Sequence, residues 1–215
     1  MSEIKVDKIS PATGANKVSL GDSGDTIEVP SGATFTNLGT ATGFGGGMVL
    51  QVVSNHVNTR ASMSLVINTV TNVSNLSCAI TPTSASSKIH ISMRWTGEIS
   101  AASQDLMFGM RRGATEIGSC PRVGSRGFGM GTIGESGGIS GNFDSTLECS
   151  YLEYIDSPAT TSATTYYMTA NNVYQAGTLY TNRVVSASTN TGFDDSTSSI
   201  ILTELSAATT LLNGV

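Results

Sequence analysis

Three features of the 215-residue chain predict an all-β fold. Serine and threonine supply 30 and 28 residues, about a quarter of the total, with 24 glycines beside them. Thr favours strands, whereas Ser and Gly favour turns. Only 13% of residues are charged, about half the usual share, and the runs of Ala, Glu, Lys and Leu that build long helices are missing. Finally, short apolar runs of period two recur between turn signals along most of the chain.

The first segment, residues 1–47, reads as an extended arm. Apolar pairs (Ile4/Val6, Val18/Leu20, Ile27/Val29) and Ile9 alternate with the turn signals Pro11-Ala-Thr-Gly14, Gly21-Asp-Ser-Gly24 and Pro30-Ser-Gly32. Each short strand carries two or three apolar residues, too few to offset the entropy of ordering it. Such a segment must bury them against copies of itself or against a larger particle. Gly43-Phe44-Gly45-Gly46-Gly47 marks the boundary with a head domain of residues 48–215.

In the head, Met48–Val53 is apolar enough to predict a strand buried on both faces. Leu65–Val70 and Leu76–Thr81 are further strands, the latter closed by Pro82. Lys88–Glu98 is the clearest: Ile89, Ile91, Met93 and Trp95 alternate with His90, Ser92, Arg94 and Thr96, one face inward and one outward. Leu106, Phe108 and Met110 line one face of the next. Leu147–Ile155, Thr165–Ala170, Thr178–Val185 and Ser199–Leu205 complete a set whose spacing predicts a β-sandwich, jelly-roll-like. Gly118–Gly141 interrupts it with 9 glycines in 24 residues. A loop of this length is functional, flexible, or packed on a neighbouring subunit.

The net charge of −5 argues against a general nucleic-acid binder. No apolar run approaches the roughly 18 residues of a membrane span, and the N-terminus lacks a signal-peptide core, so synthesis in a cytoplasm is expected. The odd, widely spaced Cys78, Cys120 and Cys149 form neither a disulfide framework nor a zinc motif and read as small buried hydrophobes. No cofactor is implied. Asp22/Asp25 and Asp194/Asp195 are close carboxylates, but turn chemistry accounts for them better than calcium does.

Gly134-Glu-Ser-Gly-Gly138 resembles the segment around the nucleophile of chymotrypsin-like proteases, and His56, Asp105 and Ser136 follow that family's order. The surroundings of His56 (Ser-Asn-His-Val-Asn) depart from the family's pattern, and Glu135 stands where it has Asp. A glycine-rich loop is also a poor support for a triad, so the chain reads as no enzyme. Gly129-Met-Gly-Thr-Ile-Gly134 fits a dinucleotide fingerprint but lacks the βαβ unit that gives it meaning.

Arg111, Arg112, Arg122 and Arg126 place four of seven arginines within 16 residues. Such guanidinium groups suit an anionic glycan, although salt bridges within a hairpin or between subunits account for them better. All six tyrosines lie between Tyr151 and Tyr180. Tyr151, Tyr166 and Tyr167 read as structural. Tyr174 and Tyr180, flanking Gln175-Ala-Gly177, are candidates for contact with a receptor or a subunit, together with Arg122, Arg126 and Phe128.

The string Met1-Ser-Glu-Ile-Lys-Val-Asp-Lys-Ile-Ser-Pro-Ala-Thr-Gly14, continued by Val18-Ser-Leu-Gly-Asp-Ser-Gly-Asp-Thr-Ile-Glu-Val-Pro-Ser-Gly-Ala33, resembles the N-terminal arm of virion fibre proteins of tailed bacteriophages, especially marine ones. The likeness runs from Ser2 to about Gly45. More loosely, Ile80–Ile89, Arg111–Gly118 and Tyr154–Tyr166 resemble the small β-sandwich heads of those proteins. The Gly118–Gly141 stretch lies outside it. The resemblance implies a homotrimer in the virion, with the arm on other virion proteins of tail or capsid and the head facing a host surface glycan or protein. It marks Ile4, Val6, Ile9, Val18, Leu20, Ile27 and Val29 as anchoring residues. The expected function is a short tail or head fibre. A capsid decoration or cement protein is the alternative, and a serine hydrolase a distant one.

Overall fold

The strand with the cleanest alternation lies at the centre of the first of two sheets. A computed structural model describes residues 49–100, 106–133 and 145–207, with positions 9, 26, 28 and 30–33 before them. The chain divides into two units, Met1–Phe44 and Gly45–Val215. The anchoring candidates Ile4, Val6, Val18, Leu20, Ile27 and Val29 lie outside the described residues, and Ile9 is exposed.

The described residues of the second unit form strands without helices: β1 (Val49–Val57), β2 (Ala61–Leu65), β3 (Thr71–Ile80), β4 (Lys88–Ile99), β5 (Leu106–Arg112), β6 (Thr115–Ile117), β7 (Gly131–Thr132), β8 (Glu148–Asp156), β9 (Thr164–Asn172), β10 (Gly177–Thr181) and β11 (Ser198–Leu205). They build two antiparallel sheets. In the first, β4 pairs with β8 along one edge (Ile89↔Asp156 to Gly97↔Glu148). Along the other edge it pairs with β11 as far as Arg94 and with β10 from Gly97. β1 flanks β11, and β2 flanks β10. The second sheet runs β3-β9-β5-β6, with β7 also on β5. The pairing is nested: the head's first strand lies beside its last, and β3 lies beside β9.

One apolar core serves both sheets, in a sandwich-like arrangement. Ile89, Ile91, Met93 and Trp95 from β4 and Ile200 and Leu202 from β11 meet Leu76, Leu106, Phe108, Met110, Tyr166 and Met168 of the second sheet. The Trp95 and Phe108 rings join the layers at 4.8 Å between centroids, and Trp95 Nε1 donates to Thr181 Oγ1 at 3.0 Å. Gly97 is required where β4 changes partners, because a Cβ there would lie 1.9 Å from the Tyr180 carbonyl oxygen.

Several expectations need correction. β1 is not buried on both faces. It alternates, and its outward Leu50 and Val52 are exposed, as is Val49 beside a bulge between Val49 and Gln51. The Leu65–Val70 strand is instead a turn following β2: Asn68 adopts φ 58°, a left-handed conformation that Asn tolerates, and Thr69 N donates back to the Val66 carbonyl at 3.2 Å. The Thr178–Val185 strand stops at Thr181 because Asn182 has φ 64°. Cys120 and Cys149 are exposed rather than buried, with Cys78 between the two extremes. Tyr151 is 58% exposed on the outer face of β8 and hydrogen-bonded to Ser92. The described part of the Gly118–Gly141 stretch returns to its own head: Met130 N donates to the Phe108 carbonyl at 2.7 Å, and Ile133 enters the core.

Two polar clusters fasten the end where β1 begins and β11 finishes, paired as Val49↔Leu205. Arg112 Nη1 donates to both oxygens of buried Asp156 at 2.9 Å, and Tyr166 Oη donates to the same carboxylate at 2.7 Å. Burial, then the hydrogen bond to Asp156 and that carboxylate's charge, push the Tyr166 phenol far upward. The buried Glu204 carboxylate accepts from Gln51 Nε2 at 2.6 Å, Thr83 N at 2.7 Å and Thr83 Oγ1 at 2.8 Å. Burial opposes its charge, but these donors, with the adjoining Ser87 hydroxyl, hold it below the usual carboxylate range.

Candidate functional site

The opposite end of the head is made of loops, and three of them meet at Asn68. The turn 66–69 joins β2 to β3, and its left-handed Asn68 turns its backbone N–H onto the Asn172 carbonyl at 2.8 Å. Asn172 ends β9 and caps the β9–β10 loop, its Oδ1 accepting from Tyr174 N at 3.0 Å and Gln175 N at 3.3 Å. The third loop follows β6: the Arg122 guanidinium donates to Asn68 Oδ1 and sits 5.3 Å from the Phe128 ring centroid. Three separate segments are thus tied together by one asparagine.

What this junction presents is apolar and cationic. Val66, Ile67, Val123 and Tyr174 are exposed, Val123 to 68% and Tyr174 to 61%. Scattered exposed hydrophobes are ordinary, but these four sit on the three segments that Asn68 ties together, and exposed apolar side chains gathered at one end are the usual material of a contact surface. Arg126 is exposed on the same loop and has no ion pair among the described residues. A tyrosine, small aliphatic side chains and guanidinium groups can stack on, and hydrogen-bond to, a polar partner carrying negative charge.

Of the residues singled out from the sequence, the structure brings Arg122, Phe128 and Tyr174 to this end, with Arg126 alongside. Tyr180 lies at this end too, paired with Glu98, but apart from the junction. It lies on β10 beneath the Arg183 guanidinium, 4.6 Å from the ring centroid, beside an open hollow of about 160 Å³ lined by Arg60, Ala61, Ser62 and Arg183. Both cations there are engaged: Arg60 with Asp195, and Arg183 with the Val184 and Val185 carbonyls at 2.8 and 2.6 Å. Arg111 and Arg112 serve the sheet, through Glu116 at 3.1 Å and Asp156 at 2.9 Å. Val66, Ile67, Asn68 and Val123 were not anticipated. The signal for the first three was the turn chemistry of Asn68-Thr69, masked by the β-branched pair before it.

The same end carries one strongly shifted acid. Burial, and then the charge of nearby Glu98, push the Glu148 carboxyl up to about 7. Asn182 holds the neighbouring strands together. Its Nδ2 donates to the Val57 and Thr59 carbonyls at 2.8 and 2.9 Å, and its Oδ1 accepts from Ser198 Oγ at 2.6 Å.

His56 is exposed on β1, whereas Asp105 and Ser136 lie outside the described residues. Among the described residues no group of three His, Cys, Asp or Glu side chains could hold a metal, and no helix is long and apolar enough to cross a membrane. Asp194 and Asp195 lie where β10 leads towards β11, with Asp195 paired to Arg60; Asp22 and Asp25 lie outside the described residues. No family model matches the chain, and no curated protein matches it.

Proposed function

We propose that this chain is a structural protein of a tailed-bacteriophage virion, a short trimeric fibre or spike. In this reading residues 1–47 attach to the particle and the head of residues 48–215 faces the host surface. The observation that carries the reading is the polarity of the head. Its chain begins at Val49 beside Leu205 at one end, and the loop junction around Asn68 lies at the other. A module held by an N-terminal arm needs this separation of attachment from contact. The nested strand order supports a jelly roll, an architecture used by capsid and lectin domains. Exposed Val49, Leu50, Val52 and Ile201 beside the chain's point of origin offer apolar surface to neighbouring copies. Three heads would turn weak single contacts into firm attachment through effective concentration.

Deleting residues 1–43 tests the arm. The truncated chain is expected to fold and to be absent from purified particles; its retention on particles would contradict the reading. Gold labelling of the full-length chain distinguishes the alternative, since a decoration protein would be labelled over the whole shell and a tail fibre at one vertex.

A further inference from the structure

The outer face of the second sheet is covered by the chain's own glycine-rich loop. Met107 and Gly109 on β5 and Thr169 and Asn171 on β9 point outward by strand alternation, and Ser119, Phe128 and Gly129 lie across them. Between loop and sheet remains a cavity of about 10 Å³. Its room comes from Gly109: a Cβ there would stand 3.1 Å from Thr169 Oγ1 and 3.4 Å from Ser119 Oγ.

Asn171 lines this cavity and is 2% exposed, yet neither its Oδ1 nor its Nδ2 meets a hydrogen-bond partner among the described residues. Leaving both atoms of a buried amide unpaired would cost roughly 1–3 kcal/mol for each. The space matches one water molecule, which needs about 10–15 Å³ and two to four polar partners. It is too small for an organic ligand. The nearest charge, Glu116, is already paired with Arg111, so the site is chemically neutral.

We propose that this cavity binds a single water molecule, held by the Asn171 amide and the Ser119 and Thr169 hydroxyls, and that this water fastens the glycine-rich loop to the sheet. The loop carries Arg122 and Phe128, so the water sets how those side chains are presented. The site stands independently of the fibre reading.

A crystal structure of the full chain at about 1.5 Å tests it. The expected result is one density peak within about 2.7–3.2 Å of Asn171 and of at least one of the two hydroxyls. Direct hydrogen bonds from Asn171 to Ser119 or Thr169, with no such peak, would overturn the proposal. Hydrogen exchange on the Asn171→Leu variant tests the fastening. Amides of the 119–129 segment should exchange about tenfold faster, as expected for losing roughly one net hydrogen-bonded link, with the strands of the core unchanged. Unaltered exchange in that segment would overturn the fastening role.

Discussion

The two ends of the head are secured by different chemistry. Where the chain begins, buried carboxylates do the work: Asp156 gathers Arg112 and Tyr166, and Glu204 gathers Gln51 and Thr83. At the loop end the knots are chiefly asparagines: Asn68 N donates to the Asn172 carbonyl, Asn172 Oδ1 caps its own loop at Tyr174 and Gln175, and Asn182 Nδ2 joins the Val57 and Thr59 carbonyls, while the buried Glu98 carboxylate accepts from Val185 N. Charge-assisted hydrogen bonds are roughly twice as strong as neutral ones, so the first end is built to hold. The second spends no charge on its own cohesion at the three-loop junction beyond Arg122, which leaves apolar and cationic side chains facing out.

The contrast is broken most severely at Asp156. Asp156→Ala leaves Arg112 without its carboxylate and the buried Tyr166 hydroxyl without an acceptor, and should cost about 3 kcal/mol, read from the urea midpoint. A loss below about 1 kcal/mol would show that the carboxylate knot is not what secures that end. Asn182→Ala comes next. It leaves the Val57 and Thr59 carbonyls short of a donor and places Ala at a left-handed φ, for a loss of about 2 kcal/mol. Asn182→Gly should recover only the backbone part.

The smallest effects are in pH dependence, and they have opposite signs at the two ends. Glu204 has a lowered folded pKa, so its contribution is present above the unfolded carboxylate range and is lost as pH falls through the folded value. Glu148 has a folded value raised to about 7, so its contribution is present below the unfolded range and is lost as pH rises through 7. Glu204→Gln should therefore destabilise at pH 7, by less as the medium is acidified below about pH 4. Glu148→Gln should stabilise at pH 8 and have little effect near pH 4. Thermal melts across that range would show the two variants diverging from the parent in opposite directions.

Much of the sandwich is legible in the sequence because burial there follows the period of the backbone. Ile89, Ile91, Met93 and Trp95 alternate with polar residues, Leu106, Phe108 and Met110 with Met107 and Gly109, and all seven are fully buried. β2 is legible in principle, since Ala61, Met63 and Leu65 alternate with Ser62 and Ser64, but the stronger β-branched signal of Val66-Ile67 draws the strand past it; β7 escapes because two residues make no pattern. Val66-Ile67 misleads because β-branched side chains suggest a strand, but the backbone of Asn68 dictates a turn. The site is less legible still. Arg122, Phe128 and Tyr174 stand out by residue type, but their meeting at Asn68 depends on a contact 54 residues apart that no local pattern encodes. Tyr180 has the same composition signal and a different fate, because its strand carries it under Arg183.

Sedimentation equilibrium of the full-length chain at micromolar concentration tests the central claim most directly. A trimeric fibre predicts a particle of three times the 22.2 kDa chain mass, unchanged on dilution through the micromolar range. A stable, monodisperse monomer would contradict it.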